Sequence, residues 1–131
     1  MNKITVPAVR EELQRVFDYT EEALQGMGCP PKVIMKYLIA LDEMLTNVVS
    51  YSGAEEMSVA IARQGDIFKV ELSDDGKAFN PLEKKDPDTS LSAEERQIGG
   101  LGIFMVKKSM DRMSYAYIDG RNVITLEHGI G

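Results

Sequence analysis

Three glycines stand within four residues late in the chain and run directly into an apolar segment. The stretch is Ile98-Gly99-Gly100-Leu101-Gly102-Ile103-Phe104-Met105-Val106. Glycine permits positive φ and close backbone approach, and the first turn of a helix offers unpaired N–H groups and a partial positive charge. The combination suits an anion, with phosphate as the leading candidate. Glycine before a helix is also an ordinary hinge or tight turn, so the interpretation depends on the rest of the chain.

Length, composition and charge restrict the classes of protein that this chain can represent. With 131 residues, 44% of them hydrophobic and 27% charged, it has the balance of one soluble globular domain. No apolar run approaches the roughly 20 residues of a membrane span. The net charge of −6 opposes the phosphate attraction that dominates binding to DNA or RNA. We therefore expect a single domain over residues 1–131 that is cytoplasmic, with neither nucleic acid nor a membrane as a direct partner.

The two residue types that most often carry metal or nucleophile chemistry are scarce. Cys29 is the only cysteine, and His128 is the only histidine. A lone cysteine cannot form an internal disulfide, and a histidine without a second histidine or a spare cysteine does not make a metal or triad site. These two residues therefore do not indicate the function.

Apolar periodicity predicts a chain that combines helices with pairs of strands. Spacing of about 3.6 residues predicts a helix that begins at Pro7 and ends at Gly28, and a longer helix that reaches about Tyr51. Alternation of apolar and polar residues predicts two β-hairpins, which turn around Gly65 and Gly120. The predicted strands are 1–6, 57–63, 67–73, 112–117 and 122–127, and a further helix is predicted over 101–110.

Glu43 and Asn47 lie one turn apart on the longer predicted helix, on the face opposite Leu41 and Leu45. A carboxylate and an amide at this spacing can converge on one point. They are typical of a solvated helix face. They also fit a catalytic carboxylate beside an oxygen ligand for Mg²⁺, a hard cation that takes one or two protein oxygens together with phosphate oxygens. The pair alone does not decide between these interpretations.

Turn residues follow the strand at 67–73 and lead into a segment without apolar periodicity. The run Asp74-Asp75-Gly76-Lys77-Ala78-Phe79-Asn80-Pro81 is ordinary turn chemistry, but it also places a carboxylate at a strand end, where a ligand amino group can donate to it. A structureless loop of about 16 residues, here 82–97, is usually functional or disordered. Because this loop ends at the glycine stretch, we expect a lid over about residues 80–98. Arg96 is then either a solvated side chain or a contact to a terminal phosphate.

These separate signals occur in an order that resembles the GHKL, or Bergerat-fold, ATP-binding superfamily. The segment Ala40-Leu41-Asp42-Glu43-Met44-Leu45-Thr46-Asn47-Val48-Val49 resembles its N box, residues 72–81 resemble its G1 box, and residues 99–104 resemble its G2 box. The short lid, the Phe-x-Pro after the G1 box and the small size are most similar to the bacterial anti-sigma-factor serine kinases. The resemblance covers nearly all of the chain, and three boxes in order are far more specific than any one of them.

The resemblance implies a role for residues of each box. Asn47 would ligate Mg²⁺, and Glu43 would act as the general base. Asp74 would bind the adenine amino group, and Gly76 would let the chain pass close to the base. Thr125 matches the strand threonine that supports this aspartate in the superfamily.

The expected nucleotide site extends over all three boxes, although two positions depart from the family pattern. Ala78 replaces the second glycine of the usual D-x-G-x-G, and Ser50-Tyr51 stands where relatives often carry a basic residue or histidine. Three of the expected contacts are glycines that would cradle phosphate. The complete set of expected nucleotide-binding residues is Asn47, Asp74, Gly76, Ala78, Phe79, Arg96, Gly99, Gly100, Leu101, Gly102, Ile103 and Thr125.

The resemblance also implies a fold and two competing functions. The fold is α+β, a two-layer sandwich of Bergerat type in which three helices cover one face of a mixed, mostly antiparallel sheet of about five strands. The first function is an ATP-dependent serine kinase, with ATP and Mg²⁺ as cofactors, that phosphorylates an anti-sigma-factor antagonist (a STAS-domain protein) and sequesters a sigma factor. The alternative is a non-catalytic switch whose ATP-ordered lid controls partner binding, and retention of Glu43 favours the kinase. Similar proteins dimerise through the N-terminal strand region, so a homodimer is expected.

Overall fold

The computed structural model describes residues 2–80 and 106–129. A five-stranded sheet forms one layer, and the helices form the other. Within the described residues, no helix is both long enough and apolar enough to span a membrane. The elements in chain order are strand β1 (Asn2–Pro7), a short 3₁₀ turn (Arg10–Glu12), helices α1 (Leu13–Gly26) and α2 (Pro31–Tyr51), and strands β2 (Glu56–Gln64), β3 (Ile67–Asp74), β4 (Arg112–Ile118) and β5 (Arg121–Gly129).

The sheet has the strand order β1-β2-β3-β5-β4. All four pairings among the described strands are antiparallel, so the sheet is simpler than the mixed sheet that we expected. Its two hairpins turn where the sequence predicted. Gly65 has φ 60° at the first turn, and Asp119 and Gly120 have φ 52° and 76° at the second, the positive values that tight hairpins require.

The first helix begins later in the chain than the sequence predicted, and it ends close to the predicted residue. Pro7 does not begin a helix; it ends β1 and pairs with Glu56 of β2. The fixed φ of proline suits the end of an edge strand as well as the first turn of a helix, and strand pairing decides here. At the other end, Gly28 has φ +83° and lies just beyond α1, where its N–H donates to the carbonyl of Gln25 at 3.0 Å. Such a glycine reverses the chain and ends the helix.

Helices α1 and α2 lie on one face of the sheet and bury a common core against it. Tyr37 of α2 is fully buried, and its hydroxyl donates to the carbonyl of Phe68 on β3 at 2.7 Å and to that of Leu126 on β5 at 3.4 Å. Val106 and Met110, at the helical residues 106–109 and just after them, belong to the same core. The expected two-layer fold with helices on one face is therefore confirmed. The start of the helix predicted over 101–110, and residues 81–98 of the expected lid, lie outside the described residues.

Candidate functional site

The first part of the candidate site is a pair of polar side chains on α2. The helix buries its apolar stripe against the sheet, while Glu43 and Asn47 remain half-buried one turn apart. The Asn47 side-chain N–H donates to Glu43 Oε1 at 3.4 Å. This contact directs the amide nitrogen toward the carboxylate. It leaves the amide oxygen of Asn47, the atom that suits a hard cation, without a hydrogen bond from the part of the chain that the structure describes.

The second part of the site is Asp74, the last residue of β3. Only 6% of Asp74 is exposed. Its Oδ1 accepts two hydrogen bonds, from the backbone N–H of Gly76 at 2.9 Å and from the side-chain amide of Asn122 at 3.1 Å. Within the described ranges, Oδ2 receives none. A buried carboxylate oxygen without a donor is unfavourable in the free protein, and it is a ready acceptor for a ligand N–H.

The neighbouring carboxylate, Asp75, has a different task. Its Oδ1 accepts the backbone N–H groups of Glu55 at 2.8 Å and Glu56 at 3.1 Å, where β2 begins. These backbone hydrogen bonds hold the pKa of the exposed Asp75 carboxyl below its usual value, with a smaller contribution from the charge of Arg121. The structure thus distinguishes the two adjacent aspartates, because Asp74 is buried in the fold and Asp75 holds the start of a strand.

Gly76 allows the turn after β3 to contact the end of α2. A Cβ at this position would lie 2.7 Å from the Cβ, Oγ and carbonyl oxygen of Ser52. The next residue, Lys77, donates its N–H to the Ser52 carbonyl at 3.0 Å. Asn47 precedes Ser52 by five residues, about 7.5 Å along the helix axis. The structure therefore places the Glu43 and Asn47 pair and the Asp74 turn at the same end of the fold.

Asn122 is the residue at this site that the sequence analysis missed. It is the second residue of β5, is 3% exposed and lies opposite Asp74 in the strand register. Its side chain also donates to the carbonyl of Lys77 at 2.7 Å and accepts the N–H of Phe79 at 2.9 Å. A signal was present in the sequence. Asn122 occupies an inward position of the alternation that continues with Ile124 and Leu126, so a polar side chain there has to find buried partners.

The support that the resemblance assigned to Thr125 is wrong. Thr125 pairs with Glu71 of β3, whereas Asp74 pairs with Asn122. Successive side chains of a strand point to opposite faces, so a residue three positions from Asn122 lies on the other face of the sheet. The donor to Asp74 is consequently Asn122.

The remaining expected residues divide into two groups. Ala78 and Phe79 are exposed and follow the Asp74 turn, and the backbone of Phe79 is held by Asn122. The other expected contacts lie outside the described residues, and they are Arg96, Gly99, Gly100, Leu101, Gly102 and Ile103.

The single cysteine and the single histidine take part in the fold at other places. Cys29 is buried in the connection between α1 and α2, and burial raises the pKa of its thiol to about 11, so the thiol is protonated at neutral pH. His128 lies near the end of β5, where its Nε2 is 3.1 Å from Lys36 Nζ. Among residues 2–80 and 106–129, no three His, Cys, Asp or Glu side chains are grouped to hold a metal ion.

Comparison with known proteins gives a consistent result. The family model of the histidine kinase-like ATPase domain matches residues 6–128. The serine-protein kinase RsbW of Listeria monocytogenes is 32% identical over 98 residues, which are 69% of this chain and 62% of that protein. The serine/threonine-protein kinase BtrW of Bordetella bronchiseptica is 28% identical over 94 residues, which are 67% of this chain and 65% of that protein. The chain thus spans less than two-thirds of the length of these curated relatives.

Solved structures support the fold. The SiaB–SiaC complex from Pseudomonas aeruginosa contains a chain with a TM-score of 0.62 at 18% identity, covering 99% of this chain and 90% of that one. The RsbU and RsbW domains of a Mycobacterium tuberculosis protein match with a TM-score of 0.62 at 16% identity, covering 98% of this chain and 32% of that one. At these identities the likeness concerns the fold.

Proposed function

Because the chain belongs to the histidine kinase-like ATPase domain family, we propose that it is an ATP-dependent protein serine kinase of the anti-sigma-factor type. In this proposal it phosphorylates an anti-sigma-factor antagonist, a STAS-domain protein, on serine, and it sequesters a sigma factor when nucleotide is bound. The family implies the use of ATP, and the names of the curated relatives as serine-protein kinases support phosphoryl transfer to serine.

The finer features of the proposal come from the resemblance to the anti-sigma-factor kinases. They are a role in transcription regulation, Mg²⁺ as the metal, a homodimer formed through the N-terminal strand region, and a cytoplasmic location. Residues 1–131 as one domain and residues 80–98 as its lid belong to the same proposal. The observation that carries the enzymatic part is the contact between Asn47 and Glu43, because it pairs a candidate base with a candidate metal ligand.

The described residues fit a nucleotide. The buried Asp74 has an acceptor oxygen for an exocyclic amino group, and the close contact of Gly76 with Ser52 holds the Asp74 turn against the end of α2, the helix that carries Asn47. Asn47 offers an amide oxygen for Mg²⁺. We assign phosphate contacts to Gly99, Gly100 and Gly102, and a contact to the terminal phosphate to Arg96.

Glu43 carries the chemistry that the chain itself would contribute. Its carboxylate would take the proton from the substrate serine hydroxyl, which makes the hydroxyl oxygen the attacking nucleophile. Asn47 keeps this carboxylate in place through its amide N–H. Bound Mg²⁺-ATP supplies the phosphoryl group and the neutralising charge, and positioning accounts for most of the catalysis.

The substitution Glu43→Gln tests this proposal. It keeps the size of the side chain but removes the proton acceptor, so ATP binding should persist while phosphate transfer from labelled ATP to the STAS-domain proteins of the source organism falls by about 10²–10⁴-fold. Asp42→Asn is the matched control, because Asp42 is an exposed carboxylate one residue away, in contact with Thr46. It should leave the transfer rate unchanged.

One result would contradict the kinase, and another would contradict only the assignment of its base. If the wild-type protein transfers no phosphate to any STAS-domain protein and Glu43→Gln keeps ATP-dependent partner binding, the non-catalytic switch replaces the enzyme. If Glu43→Gln abolishes ATP affinity, Glu43 holds the site together, and its assignment as the base is withdrawn.

A further inference from the structure

Asn122 lies at the centre of a buried hydrogen-bond network beside Asp74. Its side-chain amide donates to Asp74 Oδ1 at 3.1 Å and to the Lys77 carbonyl at 2.7 Å. Its side-chain oxygen accepts the N–H of Phe79 at 2.9 Å and the hydroxyl of Tyr115 at 2.5 Å. The atoms that the amide nitrogen contacts are therefore hydrogen-bond acceptors, and the two groups that the side-chain oxygen contacts are donors.

These contacts determine the orientation of the Asn122 amide. Exchanging its oxygen and nitrogen would place an NH₂ group against the backbone N–H of Phe79, which can only donate. The same exchange would place an oxygen against the Lys77 carbonyl, which can only accept. Tyr115 of β4 strengthens the observed orientation, because its hydroxyl is a second donor to the side-chain oxygen.

The fixed amide in turn determines which oxygen of Asp74 is available to a ligand. Oδ1 already accepts from Gly76 and from Asn122, which uses its two lone-pair directions. Oδ2 is the oxygen that remains. The terminal torsion of an aspartate is broad and roughly two-fold, so without Asn122 the carboxylate would have one anchoring hydrogen bond and a wider range of orientations.

We propose that Asn122 is a positioning residue that presents Oδ2 of Asp74 to the exocyclic amino group of the nucleobase, and that Tyr115 holds Asn122 in the orientation this requires. The proposal rests on the proposed nucleotide function. It assigns preference for a 6-amino purine over a 6-oxo purine to three side chains, of which only Asp74 touches the base. Tyr115 lies on the edge strand β4, so a residue two strands from Asp74 contributes to base selection.

The test compares two variants with a matched control. Tyr115→Phe removes the donor to Asn122 and keeps the ring, and Asn122→Ala removes the whole network. Tyr117→Phe is the control, since Tyr117 lies on the same strand and the same face and is 48% exposed. Displacement of a fluorescent ATP analogue by ATP and by inosine triphosphate, which carries a 6-oxo group, gives the ratio of the two dissociation constants.

The ratio separates a positioning role from a merely structural one. A loss of general stability would weaken both nucleotides equally and leave the ratio unchanged. We expect the wild-type preference for ATP to fall about three- to tenfold in Tyr115→Phe, the range for one hydrogen bond, and by about tenfold or more in Asn122→Ala. Tyr117→Phe should keep the wild-type ratio. If Asn122→Ala does not fold, the ratio measured for Tyr115→Phe alone tests the proposal.

A second readout needs no nucleotide. Hydrogen exchange of the Phe79 amide should be faster in Asn122→Ala than in the wild type, because its acceptor is removed.

Wild-type protein that binds neither nucleotide would contradict the proposed function itself. Wild-type protein that prefers ATP, together with variants that keep its ratio, would overturn only the role of Asn122 and Tyr115.

Discussion

The side-chain amide of Asn47 donates to Glu43 Oε1 at 3.4 Å, one turn away on α2. The contact gives each side chain one defined direction. The carboxylate is held by its neighbour on the same helix, and the amide oxygen of Asn47 is left for a cation. If the pair works as proposed, metal binding depends on Asn47 and proton transfer depends on Glu43, so two substitutions should separate the two roles.

Asn47→Ala should weaken the Mg²⁺-dependent part of nucleotide binding. The variant removes the protein oxygen that we assign to the cation and leaves Asp74, which we assign to the base. Titration calorimetry with ATP, in the presence of Mg²⁺ and of EDTA, measures this part as the ratio of the two affinities. We expect the ratio to fall about tenfold, within the range for a lost contact to a charged group. Thr46→Ala is the control, because Thr46 is the adjacent residue of α2 and its hydroxyl donates to Asp42 instead of Glu43. Equal wild-type affinity with and without Mg²⁺ would refute the metal role of Asn47.

Asp74→Asn should reverse the base preference. In the wild type, Oδ1 is fixed by the N–H of Gly76 and the amide of Asn122, both donors. The new amide would therefore keep its oxygen at that position and place its NH₂ at the position of Oδ2. An NH₂ group there is complementary to a 6-oxo purine and repels a 6-amino group, so inosine triphosphate should now bind more tightly than ATP.

The cost of a mismatched buried polar group is about 1–3 kcal/mol, so the ratio of the two affinities should change by about 5- to 150-fold. Competition against a fluorescent nucleotide measures it. Asp75→Asn is the control, because it makes the same change from carboxylate to amide at the adjacent residue, whose Oδ1 accepts from the start of β2. An unchanged ratio in Asp74→Asn would locate the base elsewhere.

Much of this site could be predicted from local sequence patterns. The relation of Glu43 to Asn47 follows from the helical period alone, and both hairpins follow from turn residues that accept positive φ. Membership of the ATP-binding superfamily could be inferred because three such segments occur in order. These are features that neighbours in the sequence determine.

The predictions that the structure contradicts concern features that only strand pairing determines. Pro7 suits a helix start and a strand end equally well, and its pairing with Glu56 is a long-range contact that the local sequence does not specify. The resemblance points to Thr125 and not to Asn122, because a motif does not fix the register of the strands. A shift by an odd number of positions moves a side chain to the other face of the sheet. The partner of Asp74 is known only once β3 and β5 are aligned.

Gly76→Ala should destabilise the fold, whereas Gly26→Ala should not. An added Cβ at Gly76 would lie 2.7 Å from three atoms of Ser52, including its backbone carbonyl oxygen, so the turn or the end of α2 has to move. Overpacking of this kind costs about 1–3 kcal/mol of unfolding free energy.

At Gly26, in the last turn of α1, a Cβ meets nothing within 4 Å, so alanine should be neutral or stabilise by about 0.4–1 kcal/mol. Urea denaturation of both variants measures the difference. Equal stability of the two variants would mean that Ser52 can move away from the added Cβ without lowering the free energy of unfolding.

Tyr37→Phe should lower the stability of the domain at neutral pH by about 1–2 kcal/mol. The hydroxyl of Tyr37 is buried and donates to the carbonyls of Phe68 and Leu126, so the variant leaves two buried carbonyls without this donor. Tyr117→Phe, at an exposed tyrosine, should have no measurable effect. Urea denaturation at pH 7 tests both expectations.

The same hydroxyl should give the wild type a dependence on alkaline pH that Tyr37→Phe lacks. Burial, followed by the negative charge that Cys29 carries once its thiol loses its proton, raises the pKa of Tyr37 well above its usual value. Below the unfolded pKa of about 10, the phenol is protonated in both states, and its contribution to stability is complete. Above about pH 10, the unfolded chain loses this proton while the native state keeps it, so the free energy of unfolding falls as the pH rises. The stability difference between wild type and Tyr37→Phe should therefore be constant from pH 7 to pH 9 and shrink at pH 10.5. A constant difference at all three values would mean that the native state releases the proton as readily as the unfolded chain.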